Sequence, residues 1–199
     1  MFFRLTSSII RGDLLDLTSL LGIGALILIA IIVLWLVIRY TNRVKILANQ
    51  IDAAWAQIDV QLKKRYDLVP NLVATVKGYA AHEREIFENV AKARERMVSG
   101  APGERMAASN ALTGALRSLF AVAENYPQLR ASENFTRLQD ELSSIESQIA
   151  TARQRYNRDV LAYNNLITTI PGRWFAGGQA PRTFLEVPDA ERGPVAVTF

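Results

Sequence analysis

The chain has no cysteine and a single histidine, His82. The first absence removes disulfides, a lipid-modified cysteine and thiolate chemistry, and leaves the redox compartment open. The second removes most metal chemistry. His82-Glu83 begins like a zinc-protease helix, but four residues after His82 stands Ile86, so the second ligand is missing. A di-iron bundle needs Glu-x-x-His on two helices, and Tyr79 occupies the glutamate position of the one available histidine. There is no P-loop and no dinucleotide fingerprint. Serine and threonine nucleophiles lack a second histidine to pair with, although a Ser-Lys dyad stays open. Charge of one sign is also scarce: 23 Lys+Arg against 19 Asp+Glu, spread along the chain, is not a nucleic-acid footprint. The expectation is a protein that is not an enzyme. It should have no catalytic or metal site, no cofactor, no small-molecule substrate and no nucleic-acid partner.

What the chain does have is Leu17 to Ile38, 22 consecutive uncharged residues between Asp16 and Arg39. As a helix they would reach roughly 33 Å, about the thickness of a bilayer's hydrocarbon core. A spanning helix satisfies its own backbone polar groups. Trp35 and Tyr40 stand near one end, where amphipathic rings favour the headgroup level. The run is too long for a signal peptide, and no A-x-A-like site follows it. Residues 1–16 place Phe2, Leu5 and Ile9 at helical spacing, which suits a short interfacial helix or a frayed terminus. Arg4, Arg11 and the terminal amine on one side face Arg39, Arg43 and Lys45 on the other, so the positive-inside rule does not decide orientation.

From residue 39 the apolar pattern becomes helical. Val44, Leu47, Ile51, Trp55, Ile58 and Leu62 lie three or four apart and predict a first helix that can run straight out of the membrane. Asp67-Leu-Val-Pro70-Asn71 reads first as a tight turn capped by Asp67, with a kink in one very long helix as the alternative. A second helix is predicted over about 68–98, with Val69, Leu72, Val76, Tyr79, Ile86, Val90, Ala93 and Met97 on its seam. Glu83 shares that seam and would need a buried partner, for which Arg153 or Arg155 is suited. Ser99-Gly100-Ala-Pro102-Gly103 ends this helix. A third follows over about 104–125 and closes at Tyr126-Pro127. The fourth runs from Ser132 to Ile170, through Phe135, Leu138, Leu142, Ile145, Ile149, Ala152, Tyr156, Val160, Tyr163 and Ile167. Near-parallel helices with short connections predict an all-α fold: a transmembrane helix over 17–38, then an antiparallel four-helix bundle over 39–170. Residues 171–199 change texture. Proline, glycine, Trp174, Phe175, Phe184 and Phe199 predict an extended C-terminal arm, docked on the bundle or on a neighbour, with disorder as the other outcome.

RYDLVPNLV, VKGYAAHERE, AVAENYPQLRASENF and ARQRYNRDVLAYN together resemble the LemA family over roughly residues 40–199. The tail APRTFLEVPDAER resembles a form of the family ending in PR-x-F-F-E-V. Tyr40-Thr41-Asn42 departs from the family's adjacent Tyr-Asn, and Ile170-Pro171 from its commoner Phe-Pro. The resemblance implies an antiparallel helical bundle behind one membrane helix and no established catalysis. Lipoprotein-like relatives imply a bundle on the extracytoplasmic side of the bacterial inner membrane.

The residues at these motifs are candidates for bracing or partner binding. Arg65, Asp67, Pro70 and Asn71 surround the expected turn, and His82 and Glu83 follow. Tyr126 and Pro127 close helix three. Arg153 is the candidate partner of Glu83, and Tyr156-Asn157 repeats seven residues later as Tyr163-Asn164. The tyrosines are read as core with hydroxyls at its edge, and the asparagines as exposed or bonding across helices. Asn134-Phe-Thr136 fits a glycosylation acceptor but starts a helix. The functional expectation is a membrane-anchored helical scaffold in the lipid bilayer that forms homo-oligomers or binds envelope proteins, in membrane organisation or stress response. The alternative is a regulatory adaptor for a membrane metalloprotease in envelope quality control.

Overall fold

The computed structural model describes the backbone of residues 2–186 and the side chains of residues 20–186. The described residues are all-helical: α1 Phe2–Lys77, α2 Arg84–Glu95, α3 Pro102–Ala123, α4 Pro127–Arg130, α5 Glu133–Thr168 and α6 Gly172–Phe175. The facing of the apolar side chains of residues 1–16, and the alternation of Val195, Val197 and Phe199, lie outside them.

The chain divides into two units, Met1–Ile46 with Leu166–Ala180, and Leu47–Asn165 with Pro181–Phe199. In the first unit, α1 from Leu20 to Ile38 is apolar and unpacked, and it is long and apolar enough to cross a membrane. At the other end of this unit α6 is a single turn. A Cβ on Gly172 would overlap the Leu166 carbonyl oxygen, so only glycine allows the chain to fold back this closely. Phe175 stacks on Tyr40, with ring centroids 5.4 Å apart.

In the second unit the buried positions follow seams of three and four. On α1 they are Leu47, Ile51, Ala54, Ile58, Leu62, Arg65, Val69, Leu72 and Val76. On α3 they are Met106, Ala108, Ser109, Leu112, Leu116, Leu119 and Ala123. On α5 they run from Phe135 to Tyr163. Side-chain contacts fix the directions. α1 meets α2 through Lys77 with Phe87 and Tyr66 with Arg94, so these two run antiparallel. α1 meets α3 through Asp59 with Arg105 and Arg65 with Ser109, which is parallel. α3 meets α5 through Thr113 with Glu146 and Phe120 with Phe135, again antiparallel.

Several expectations are corrected. Residues 67–71 are neither a turn nor capped by Asp67: α1 continues through Pro70, and Asp67 pairs at 3.2 Å with Lys63 one turn earlier. The break falls later, between Lys77 and Arg84, where Gly78 follows the last apolar step. The expected second helix is therefore divided: its first part belongs to α1 and its remainder is the short α2. Tyr79, in the connection, is exposed. Phe87 takes the buried place expected of Ile86, and Ala54 that of Trp55, whose bulk fits only half-buried beside Tyr156. Arg153 is buried where Ala152 was expected, and Ile170 is exposed. Glu83 is half-buried at the N-cap of α2. The late break places the Glu83 backbone at a helix start rather than inside a seam.

Candidate interaction site

Arg65 stands where an apolar residue would continue the α1 seam, and it is 3% exposed. A buried guanidinium cannot shed its proton, so it must be surrounded by acceptors. Its Nη1 donates to Ser109 Oγ at 3.0 Å and to the Ser109 carbonyl at 3.3 Å, and Nη2 donates to Thr113 Oγ1 at 2.9 Å. Nη1 also lies 2.8 Å from Glu146 Oε2. The Thr113 hydroxyl is 3.1 Å from the Ser109 carbonyl and 3.2 Å from Glu146 Oε1, and can serve one of them at a time. Burial pushes the Arg65 pKa down, and Glu146 acts in the opposite direction. The knot ties α1, α3 and α5 together. It fixes which turn faces which. Arg153 is likewise buried on α5.

Pro70 lacks the N–H that would bond the Tyr66 carbonyl, a loss of about 3 kcal/mol in a helix interior. The freed carbonyl does not go unused. Arg94 Nε on α2 donates to it at 3.0 Å, and the guanidinium lies 3.6 Å from the centroid of the Tyr66 ring. A charged hydrogen bond and a cation–π contact offset about 2–4 kcal/mol between them. The proline thus creates the acceptor that locks α2 onto α1. Beside it is a groove of about 850 Å³ lined by Tyr66, Pro70, Ala74, Lys77, Phe87 and Arg94. The Asn71 carbonyl accepts from Thr75, while Asn71 and His82 are exposed. Tyr126 is the half-buried N-cap of α4, with Pro127 in its first turn.

The Tyr-Asn repeat has a definite use. Tyr156 and Tyr163 are buried in the core. Asn157 Nδ2 donates to the Leu185 carbonyl at 2.9 Å, and its Oδ1 accepts from the Leu185 N–H at 2.8 Å. Asn164 makes the same pair of bonds to Arg182, at 2.9 and 2.8 Å. Seven residues of helix advance about 10.5 Å, and three residues of extended chain about 10 Å, so the two amides match two stations three residues apart on the arm. The arm runs antiparallel to α5, buries Leu185, and reaches α1 through Arg182, 3.7 Å from Asp52. The Tyr156 hydroxyl, 3.5 Å from the Thr183 carbonyl, has its pKa raised, chiefly by burial, with Asp52 adding and Arg182 opposing.

The structure therefore brings Arg65 into a three-helix knot and Pro70 onto α2. It sets Asn157 and Asn164 against the arm, and leaves Asp67, Asn71 and His82 on the surface. Ser109, Thr113, Glu146, Arg94, Asp52 and Arg182 carry these arrangements and were not among the expected residues. The one legible signal was Ser109 and Thr113, hydroxyls four apart beside the α3 seam. Among the described residues no cluster of His, Asp and Glu could hold a metal ion.

A family model described as the LemA family matches residues 54–199. The magnetosome protein MamQ of Magnetospirillum gryphiswaldense is 26% identical over 184 residues, covering 79% of this chain and 67% of that protein. Magnetosome protein MamQ 2 of Paramagnetospirillum magneticum is 26% identical over 185 residues, with the same two coverages, 79% and 67%. Protein LemA of Metamycoplasma hominis is 25% identical over 126 residues, covering 61% of this chain and 56% of that protein.

Proposed function

The chain belongs to the LemA family, and from that premise we propose that it is a non-enzymatic, single-pass scaffold of the bacterial inner membrane. Its helical domain associates with further copies or with other envelope proteins. The observation that carries this reading is the stretch from Leu20 to Ile38, which buries nothing against its own chain: Leu26 is 68% exposed and Ile31 58%. An apolar helix of that length left bare needs lipid around it. We take α1 beyond Leu47 with α2, α3 and α5 as an antiparallel four-helix bundle, supported by the contact directions above. The polar residues it buries are spent on register, not on reaction. A bundle on the extracytoplasmic side follows the lipoprotein-like relatives.

Confinement to a membrane raises effective concentration, so weak lateral contacts suffice for assembly. The test is detergent sizing of the full chain with cross-linking in membranes. A large homo-oligomer is expected. A small particle that co-purifies with a membrane metalloprotease favours the adaptor reading instead, and a monomer that stays in solution without lipid or detergent refutes both. Protease digestion of intact spheroplasts reads the orientation: loss of the bundle places it outside.

A further inference from the structure

Ile170 and Trp174, at 68% and 71% exposed, are the most exposed large apolar side chains described outside the apolar run. Ile170 precedes α6 and Trp174 lies within it, and three observations say what covers them. Phe175 is stacked on Tyr40, which stands two residues beyond Ile38, the last residue of that run. Tyr40 is thus only about 3 Å further along the helix axis. The Phe175 ring lies 5.4 Å from the Tyr40 ring and Trp174 is its chain neighbour, so α6 stands beside this end of the run. The headgroup zone is itself about 5–8 Å deep on each side of the hydrocarbon, so this is where an exposed tryptophan is accommodated. Second, the position is fixed. The close approach of Gly172 to Leu166, the Arg173 N–H bonded to the Thr169 carbonyl and the Trp174 N–H bonded to the Pro171 carbonyl leave α6 no other direction. Third, Arg39, Arg43 and Arg173 are exposed in the same unit, and Arg39 lies over the Trp35 ring at 5.1 Å.

We propose that α6 is a second, interfacial membrane contact, in which Ile170 and Trp174 enter the acyl–headgroup boundary of the leaflet where α1 emerges, while Arg39, Arg43 and Arg173 meet lipid phosphates. The occupant is phospholipid, on grounds of depth and charge together. The chain then touches its membrane at two points distant in sequence, the span and the end of α5. The inference rests on the reading that Leu17–Ile38 spans the bilayer.

Three single-tryptophan forms of the full chain separate the two. They retain Trp35, Trp55 or Trp174, with the other two tryptophans replaced by phenylalanine, and are reconstituted in phosphatidylcholine–phosphatidylglycerol vesicles. Quenching by lipids brominated high on the acyl chain is read against quenching by aqueous iodide. Trp35 reports the span, and Trp55 reports a residue away from lipid. Trp174 is expected to lose roughly half or more of the fluorescence that Trp35 loses to brominated lipid, and to be shielded from iodide. Where the double substitution perturbs folding, the quenching lost on Trp174→Phe alone reads the same quantity. Trp174 open to iodide and blind to brominated lipid overturns the proposal, as does a Trp174 shielded from both, which means that protein covers it. Failure of Trp35 to be quenched sinks the span itself and is a separate result.

Discussion

Replacing Asn157 with alanine removes both hydrogen bonds to Leu185, at 2.9 and 2.8 Å, and leaves the fold of α5 untouched, because alanine is a better helix former than asparagine. Each neutral bond contributes about 0.5–1.5 kcal/mol net, so the arm should open more easily by about 1–3 kcal/mol. That is roughly 5- to 150-fold in the open population. Trypsin cutting after Arg182 reads this population, provided opening and closing are fast relative to cleavage. The Asn164 pair to Arg182 is exposed, whereas the Asn157 pair is partly buried. Asn164→Ala should therefore accelerate cleavage less, at about 3- to 10-fold. Leu185→Ala, which removes a buried side chain, serves as the positive control. If Leu185→Ala speeds cleavage while Asn157→Ala leaves it at the wild-type rate, the amides do not hold the arm and the clasp argument fails.

Three further outcomes follow from the same geometry. Pro70→Ala restores the helical N–H, so the Arg94→Ala loss should be smaller by about 1 kcal/mol in that background than in the wild type; thermal melts of the two singles and the double close the cycle, and additivity would deny the link. Glu146→Gln should cost about 1–2 kcal/mol in urea denaturation, less than the figure for a fully buried pair, because the Glu146 side chain is 38% exposed and Arg65 keeps its two hydroxyl partners. The Tyr156 pKa is raised from 10.0 by burial. The folded state therefore holds that proton more tightly, and the associated stability is complete below pH 10 and is lost as pH rises beyond it. Melting temperatures taken across that range should fall more steeply for the wild type than for Tyr156→Phe.

How far these arrangements could be read in advance depended on whether both partners obey a period. The apolar run, α3 and α5 repeat regularly, and their existence was legible. So was the chance that α1 leaves the run unbroken. At Pro70 local sterics favour a turn over the alternative of one long helix, while the residue that makes a helix tolerable there, Arg94, lies on another helix and meets position 66 only after folding. Ala54 and Trp55 are adjacent, and an apolar count favours the larger, although the seam has room only for the smaller. The seven-residue spacing of Asn157 and Asn164 was visible, but their partners lie in a segment without periodicity, and nothing before folding shows that two kinds of chain share a step of about 10 Å. Arg65 reads as a turn residue because it stands two residues before Asp67. Its spacing of three from Leu62 and four from Val69 already placed it in the seam.

Seams of this length raise a problem that their own regularity cannot solve. A helix pair sealed by leucine, isoleucine and valine at steps of three and four is nearly unchanged by a slide of one heptad, about 10.5 Å, so burial alone hardly distinguishes the two alignments. The Asn repeat shares the weakness, since the arm displaced by three residues would still present a backbone to one amide. What removes the degeneracy is whatever does not repeat. After a slide of seven residues along α3 Arg65 would face Leu116 and Phe120, or Pro102 and Met106, in place of Ser109 and Thr113, and a buried guanidinium stripped of these hydroxyl acceptors costs several kcal/mol. Leu185 plays the corresponding part for the arm, because a displacement of three residues can set the charged Arg182 where its buried side chain now lies. A buried arginine on a greasy seam therefore need add little to total stability. Its effect lies in the penalty it imposes on the alternative alignment, and a helical domain that presents fixed surfaces to neighbours beside a membrane depends on that alignment being single.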